Sequence, residues 1–547
     1  MSFRLIRAAL VATCTLVLTA CGGGNDGGDA ASLPTEIATL MAKPRYAGAN
    51  SRWSLVVMDA KTGELVHSLA PDRLSLTGSV RKLFSVGAAL DTIGPDHRFE
   101  TGVHRTGAAP QQGVLVGDLV LVASGDLTFG GRAKPNGSLD FTDFDHNEAA
   151  SFGGAGLTPQ DPLAGVDELA RQVYASGIRR VAGDVLIDDR LFDSFRVPNG
   201  DTLISPIDIN ENLIDVTLVP GATAGAAATL DWRPRVSGFK VIGSGLTTGV
   251  GKDADIAVSG GVFGSFSLSC LGTSGCQGRL TNAAGGVPAD IPLGYVAPVL
   301  GTTQFVGVVR PEDPATFARI AFIDALVRAG VTVDAPVVAK NDTRRLPARE
   351  SLVESTRVAN FVSVPYAEIA KLILKVSLNT GANLSLMYAG LSQGQRTVAT
   401  ALAAERRLLI DGMGLDPAGF EFKTNGSGSP DSLASARTTA HLLASMSRKP
   451  SYAVYRGALP RLGTDGSLAA VGKNVVGREH MSLKSGATVE NGQIVAISMA
   501  GYIEARSGRA LTFAVFVNDA GPLTGLGDSI EVFEDEAEIA GIVYRLN

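Results

Sequence analysis

The alternation of apolar and polar positions changes character more than once along the 547 residues. Ser54-Leu55-Val56-Val57-Met58-Asp59 and Glu64-Leu65-Val66-His67 are short β-rich runs on either side of Lys61-Thr62-Gly63, and they predict a hairpin. A helical period opens near Ser79, places Leu83, Val86, Leu90 and Ile93 on one face, and is stopped by Gly94-Pro95. From about residue 100 to 350 the pattern turns to short runs rich in Gly, Val and Thr, with predicted helices over 162–176 and 314–330. Helical spacing returns over 365–376, and two long strands over 493–502 and 509–517 precede a helix over 528–546. No internal repeat of roughly 20–50 residues is evident. The pattern reads as a unit split between 33–99 and 351–547, interrupted by a β-rich insertion of one or two accessory domains over 100–350.

The N-terminus reads as an address rather than as fold. Arg4 and Arg7 precede an apolar stretch over 8–19, too short for a permanent span, and the segment ends Leu18-Thr19-Ala20-Cys21. A branched residue, small residues and then Cys form the pattern of a bacterial lipoprotein signal. Residues 1–20 are therefore expected to be removed and Cys21 acylated, with the Gly-rich stretch 22–32 as a tether. The remainder is then expected on the periplasmic face of a membrane, the outer one rather than the inner. Of the four cysteines, Cys14 goes with the signal, and Cys270 and Cys276 are expected to close a disulfide in that oxidising space.

Composition narrows the chemistry. A net charge of −6 gives no reason to expect a nucleic-acid partner. There is no Gly-x-Ser-x-Gly elbow, no His-Glu-x-x-His pair and no phosphate loop, because Gly251-Lys252 is followed by Asp253. The acidic run Asp140, Asp143, Asp145 and Glu148 lacks the spacing of a calcium loop and is expected to be a solvated surface loop; no metal site is expected.

Lysine is scarce, 13 against 35 arginines, so each can be checked as a partner of serine. Ser-x-x-Lys occurs twice. Ser237-Gly238-Phe239-Lys240 follows Pro234 and holds a glycine, whereas Ser79-Val80-Arg81-Lys82 opens the amphipathic helix, where side chains three apart meet on one face. There a lysine amine can take the serine proton, and the helix N-terminus favours developing negative charge. Ser-x-Asn occurs once, at Ser377-Leu378-Asn379. Lys-(Ser/Thr)-Gly occurs at Lys61-Thr62-Gly63, read as a turn preceding the nucleophile, and at Lys484-Ser485-Gly486, which leads into the strand over 493–502. The order Ser79, Ser377, Lys484 is the one this chemistry requires.

With these three motifs the sequence resembles the class C D-alanyl-D-alanine carboxypeptidase/endopeptidase family of low-molecular-mass penicillin-binding proteins. The 298 residues between Ser79 and Ser377 leave room for the large insertion of that family. Further landmarks look similar: Ser124-Gly125-Asp126, Asn425-Gly426-Ser427-Gly428 and Gly463-Thr464-Asp465-Gly466-Ser467-Leu468. The resemblance implies an α+β fold, a serine β-lactamase/transpeptidase-like antiparallel sheet flanked by helices. It also implies cleavage of peptidoglycan stem peptides through a serine acyl-enzyme, binding of β-lactams, and no cofactor. Ser79 would be the nucleophile and Lys82 the general base. Ser377 would relay a proton and Asn379 hold the substrate amide. Lys484 and Ser485 would receive the terminal carboxylate, with Gly486 and Ala487 lining the strand and the N–H groups of Ser79 and Ala487 forming the oxyanion hole. Leu378, where the family often has Asp, and Ala487, where many relatives have a hydroxyl, depart from the pattern. Two rival readings share the scaffold: a peptidoglycan-binding lipoprotein without turnover, and a serine esterase or β-lactamase.

Overall fold

The structure, a computed structural model, describes residues 33–148, 155–197, 202–219 and 305–547, and between 226 and 293 the stretches 226–227, 229–238, 240–244, 247–248, 255–259, 276–282 and 291–293. The expectations for Cys21 and for a Cys270–Cys276 bond lie outside the described residues.

The two ends of the chain build one sheet. Its strand order is Leu65–Leu69, Arg52–Asp59, Ala510–Asn518, Gln493–Glu504, Met481–Glu490, antiparallel throughout. Both faces are apolar because alternate residues point to opposite sides. Val56, Met58, Ala500, Tyr502, Ala514 and Phe516 pack against the helical half that holds Lys82–Thr92, Tyr366–Lys375 and Asn379–Leu391. Leu55, Val57, Ile497, Met499, Phe513 and Val515 pack against Thr35–Met41 and the long C-terminal helix Leu526–Leu546. A helix-covered sheet with this order is the α+β architecture expected from the resemblance. Lys61-Thr62-Gly63 is a turn: Asp59 Oδ1 accepts the N–H groups of Lys61 and Thr62 at 2.9 and 2.8 Å.

A second core lies between residues 103 and 361, where Val103, Leu119, Leu121, Val185 and Ile187 meet Leu169, Val173, Phe317 and Phe322. Glu100–Arg105, Leu119–Val122 and Val185–Asp188 form a sheet whose outer strand, Arg357–Val362, is supplied after the insertion. The helices Ala164–Ala175 and Pro314–Arg328 pack together over it. Asp313 caps the latter by accepting from Thr316 N at 2.9 Å, with Pro314 at the first helical position. Ser237, the other Ser-x-x-Lys serine, sits in a turn where Gly238 has φ +75°, and its hydroxyl bonds Asp324.

The acidic run corrects the expectation of a solvated loop. Asp143 is exposed, but Asp145 and the adjacent His146 are buried. Arg132 reaches both oxygens of Asp145 at 2.6 and 2.9 Å and also pairs with Glu211; His146 lies between Asp215 at 2.8 Å and Glu211 at 3.1 Å. A charge buried away from water must be paired; Arg132 lies 13 residues before Asp145, while Glu211 and Asp215 lie 65 to 79 residues from the groups they pair with. Asp145, His146 and Glu211 lie close enough to ligate an ion, but the Arg132 guanidinium, 2.7 Å from His146 Nε2, already supplies the cation at that place.

Candidate active site

Ser79 sits one turn earlier than a regular helix would place it. The α-helix begins at Lys82, and Gly78–Arg81 form a 3-10 turn leading into it, a common device at helix N-termini. Lys82 is fully buried and its Nζ lies 2.6 Å from Ser79 Oγ, 2.6 Å from Asn379 Oδ1 and 2.9 Å from Ser427 Oγ. The first and second motifs therefore converge on one amine. Arg81 locks the turn from below. Its guanidinium is fully buried, bonds both oxygens of Glu405 at 2.9 and 2.5 Å, and stacks 3.8 Å over the Phe422 ring.

Ser377 has φ +62°, a left-handed conformation rare for a residue with a side chain. Holding it costs on the order of 1–2 kcal/mol. The turn lets Leu378 drop into the helical core, 2% exposed, while Asn379 begins the helix Asn379–Leu391. Position 378 is thus an apolar anchor in this chain. Ser377 Oγ receives Lys484 Nζ at 3.0 Å, and that ammonium also reaches the Ser485 carbonyl at 2.6 Å. Lys484 is fully buried, on the edge strand Met481–Glu490. All five residues expected to carry catalysis, Ser79, Lys82, Ser377, Asn379 and Lys484, are brought to one cleft.

The third-motif strand touches the turn that bears Ser79 backbone to backbone. A Cβ on Gly486 would stand 2.6 Å from Ser79 N, and one on Gly78 would stand 2.6 Å from Ala487 N. Neither position has room for a side chain, so both glycines serve this close approach, and Gly78 also needs its φ of +48°. The N–H groups of Ser79 and Ala487 consequently lie on the two sides of one narrow seam. Ala487 itself is exposed, and the next residue, Thr488, turns its hydroxyl to Asp431.

Sequence reasoning passed over several residues that complete the cleft. Ser427 stood only as a landmark; the loop bearing it is fixed by Asn383, fully buried, which donates to the Ser427 carbonyl at 2.8 Å and accepts the Gly426 N–H at 2.8 Å. The loop Gly463 to Leu468 forms another wall. Lys375 pairs with Asp465 at 2.6 Å, Asp143 of the insertion accepts the Gly466 N–H at 2.7 Å, and Ser467 Oγ lies 3.0 Å from Ser485 Oγ. The Gly-Thr-Asp-Gly-Ser signal was visible in the sequence; its partners were not. Asp431 accepts from Gly78, Thr488, Ser432 and Thr77, and burial pushes its carboxyl above the usual range against the pull of those bonds.

A serine hydroxyl against a buried amine, with a second hydroxyl–ammonium pair across the cleft and two backbone N–H groups at a seam, is an arrangement for acyl transfer. The family model described as D-Ala-D-Ala carboxypeptidase 3 (S13) matches residues 33–256 and 293–535. The chain is 26% identical over 535 residues to the D-alanyl-D-alanine carboxypeptidase of Actinomadura sp. (strain R39), spanning 93% of this chain and 86% of that protein. In fold it is similar to penicillin binding protein 4 from Haemophilus influenzae, with a TM-score of 0.63 at 16% identity over 93% of this chain and 99% of that one. A second structure of that protein, complexed with a β-lactam, gives a TM-score of 0.60 at 14% identity over the same shares. The match takes in both ends of the chain and every residue of the site, so the chain belongs to the D-Ala-D-Ala carboxypeptidase 3 (S13) family and is a serine carboxypeptidase.

Proposed function

We propose that the cleft cleaves the terminal D-Ala-D-Ala bond of peptidoglycan stem peptides with Ser79 as nucleophile. Lys82 takes the Ser79 proton as Oγ attacks the penultimate carbonyl carbon. The negative charge that develops on the carbonyl oxygen is received by the N–H groups of Ser79 and Ala487. Ser377, beside Lys484, relays the proton held by Lys82 to the departing amine as the C–N bond breaks, leaving an ester on Ser79 and the Lys82 amine neutral again. Asn379 holds the substrate amide, while Lys484 and Ser485 receive the terminal carboxylate. Water then attacks the ester, its proton goes to the neutral Lys82 amine and from there to Ser79 Oγ as the ester C–O bond breaks, and the serine is restored. A β-lactam follows the same first step, its ring amide opening onto Ser79. The observation that carries this reading is the 2.6 Å approach of Lys82 Nζ to Ser79 Oγ, with Asn379 on the same amine.

The setting completes the proposal. Residues 33–99 and 351–547 act as the catalytic unit and 100–350 as an accessory insertion. Cys21 carries lipid that holds the enzyme to the periplasmic face of the outer membrane, and Cys270 bonds Cys276. Among the described residues no helix is long and apolar enough to cross a membrane. Thiol counting on periplasmic material, and mass spectrometry of the mature N-terminus, check the last two statements.

Incubation with a fluorescent penicillin tests the chemistry. The expected result is a long-lived adduct on Ser79, absent from Ser79→Ala. Rapid release of hydrolysed drug would make the protein a β-lactamase, and no labelling would make it a binding module.

A further inference from the structure

Asp431 lies behind the seam that Ser79 and Ala487 share and has no part in the steps above. Its Oδ2 accepts the Gly78 N–H at 2.9 Å and the Thr488 hydroxyl at 2.6 Å, while Oδ1 accepts the Ser432 N–H at 2.7 Å and lies 3.3 Å from Thr77 Oγ1. Gly78 immediately precedes Ser79, and Thr488 immediately follows Ala487. One carboxylate oxygen thus ties together the two backbone stretches that approach each other at Ser79 and Ala487. We propose that Asp431 is the positioning residue of the oxyanion hole: it sets the separation of the Ser79 and Ala487 donors by bridging Gly78 to Thr488. The proposal rests on the role given to those donors above.

The physical case is geometric. Such a hole works only when its donors sit about 2.7–3.1 Å from where the oxyanion forms. A displacement of ~1 Å can cost ~10²-fold in rate. At this seam side chains cannot act as spacers, because a Cβ on either Gly78 or Gly486 would fall 2.6 Å from a backbone nitrogen of the other segment. Hydrogen bonds must therefore hold the spacing. Ser498 Oγ, donating to the Thr77 carbonyl at 2.6 Å, fixes the start of the turn. The Asp431 bridge fixes the part next to the nucleophile. An asparagine cannot replace the carboxylate, since its amide would meet an N–H donor on one side or the other.

Thr488 gives the cleaner test, because it is half-buried on an edge strand and Thr488→Val removes only the hydroxyl. The readouts are the acylation rate with fluorescent penicillin and kcat and KM for a D-Ala-D-Ala peptide and for a thioester lacking the terminal carboxylate, each beside a melting curve. Thr488→Val is expected to lower acylation and kcat ~10-fold with KM and Tm nearly unchanged, and Asp431→Asn to lower them ~100-fold. Thr488→Ser should return most of the rate. The losses should be equal for both substrates, since the oxyanion is common to them. Wild-type rates in Thr488→Val, a loss confined to KM, or a loss confined to the carboxylate substrate would overturn the proposal. Failure of the wild-type protein to label on Ser79 would instead remove the reading of the site itself, and this proposal with it.

Discussion

The hydroxyls of Ser467 and Ser485 stand 3.0 Å apart, one on the loop wall and one on the third-motif strand. This pair supplies neighbouring hydroxyls on the side of the cleft near Lys484, while position 487 offers only its backbone. A hydrogen bond to a charged group is worth about 1.5–3 kcal/mol. Ser485→Ala is therefore expected to reduce kcat/KM for a D-Ala-D-Ala peptide by ~10–100-fold. Ala487→Thr should restore part of it, and Ser467→Ala should cost ~3–10-fold. Substrates without the carboxylate should be much less affected. Equal losses on both substrate types would mean that Ser485 acts on proton transfer or strand structure.

Lys82 meets three acceptors, so its removal should be the most damaging change short of the nucleophile. Lys82→Ala is expected to slow acylation by at least ~10²-fold, the scale of a lost general base. Ser427→Ala leaves the amine with Ser79 and Asn379 and should cost less. Stopped-flow labelling with a fluorescent penicillin orders the two, and an unimpaired Lys82→Ala would refute the assignment.

Arg81 and Glu405 form a buried bidentate pair under the nucleophile turn. Removing one partner strands a buried charge, so Glu405→Ala should destabilise the fold by ~3–5 kcal/mol. The double change Arg81→Met with Glu405→Leu should recover much of that loss. Urea denaturation of the three proteins measures it; a single variant as stable as the parent would contradict the burial argument.

The hairpin at Lys61 carries a pH signature. The Arg509 guanidinium hydrogen bond, followed by the Thr62 N–H, holds the Asp59 carboxyl down to about 2. A carboxyl with a lowered pKa in the folded state contributes stability above its unfolded pKa and loses it as pH falls through the folded one. The window therefore runs from roughly pH 4 down to 2. Asp59→Asn should cost ~1–2 kcal/mol at neutral pH, and the two proteins should converge by pH 2. A difference that persists undiminished at pH 2 would place the effect in the turn rather than in the charge.

The candidate site was legible in the sequence because its residues are local: Ser79 and Lys82 are three apart, Ser377 and Asn379 two apart. Chain order then separated Lys484 from the turn lysine Lys61. The supports were not legible because each joins distant segments. Arg81 finds Glu405 across 324 residues, Asp143 finds Gly466 across 323, and Asp431 finds Gly78 across 353. The acidic run needed one short link and one longer one: Arg132 is 13 residues from Asp145 and 79 from Glu211. Asp145 reads as a surface residue until Arg132, held also by Glu211, is folded onto it. The 3-10 turn at Ser79 likewise stands where a distant strand comes close, beside Gly78 and Ala487.

The strand order has a consequence for how such a chain is made. Arg52–Asp59 lies beside Ala510–Asn518, and Ser51 bonds Asp519 across 468 residues. Loop closure over such a distance is slow, and synthesis runs from the N-terminus. The first hairpin must therefore wait for almost the whole polypeptide before it gains a neighbouring strand, and Ser79 cannot meet Ala487 until that far strand region has been made. A chain interrupted anywhere before its last two strands holds Ser79 and Lys82 in sequence but lacks the sheet that sets Ala487 beside Ser79.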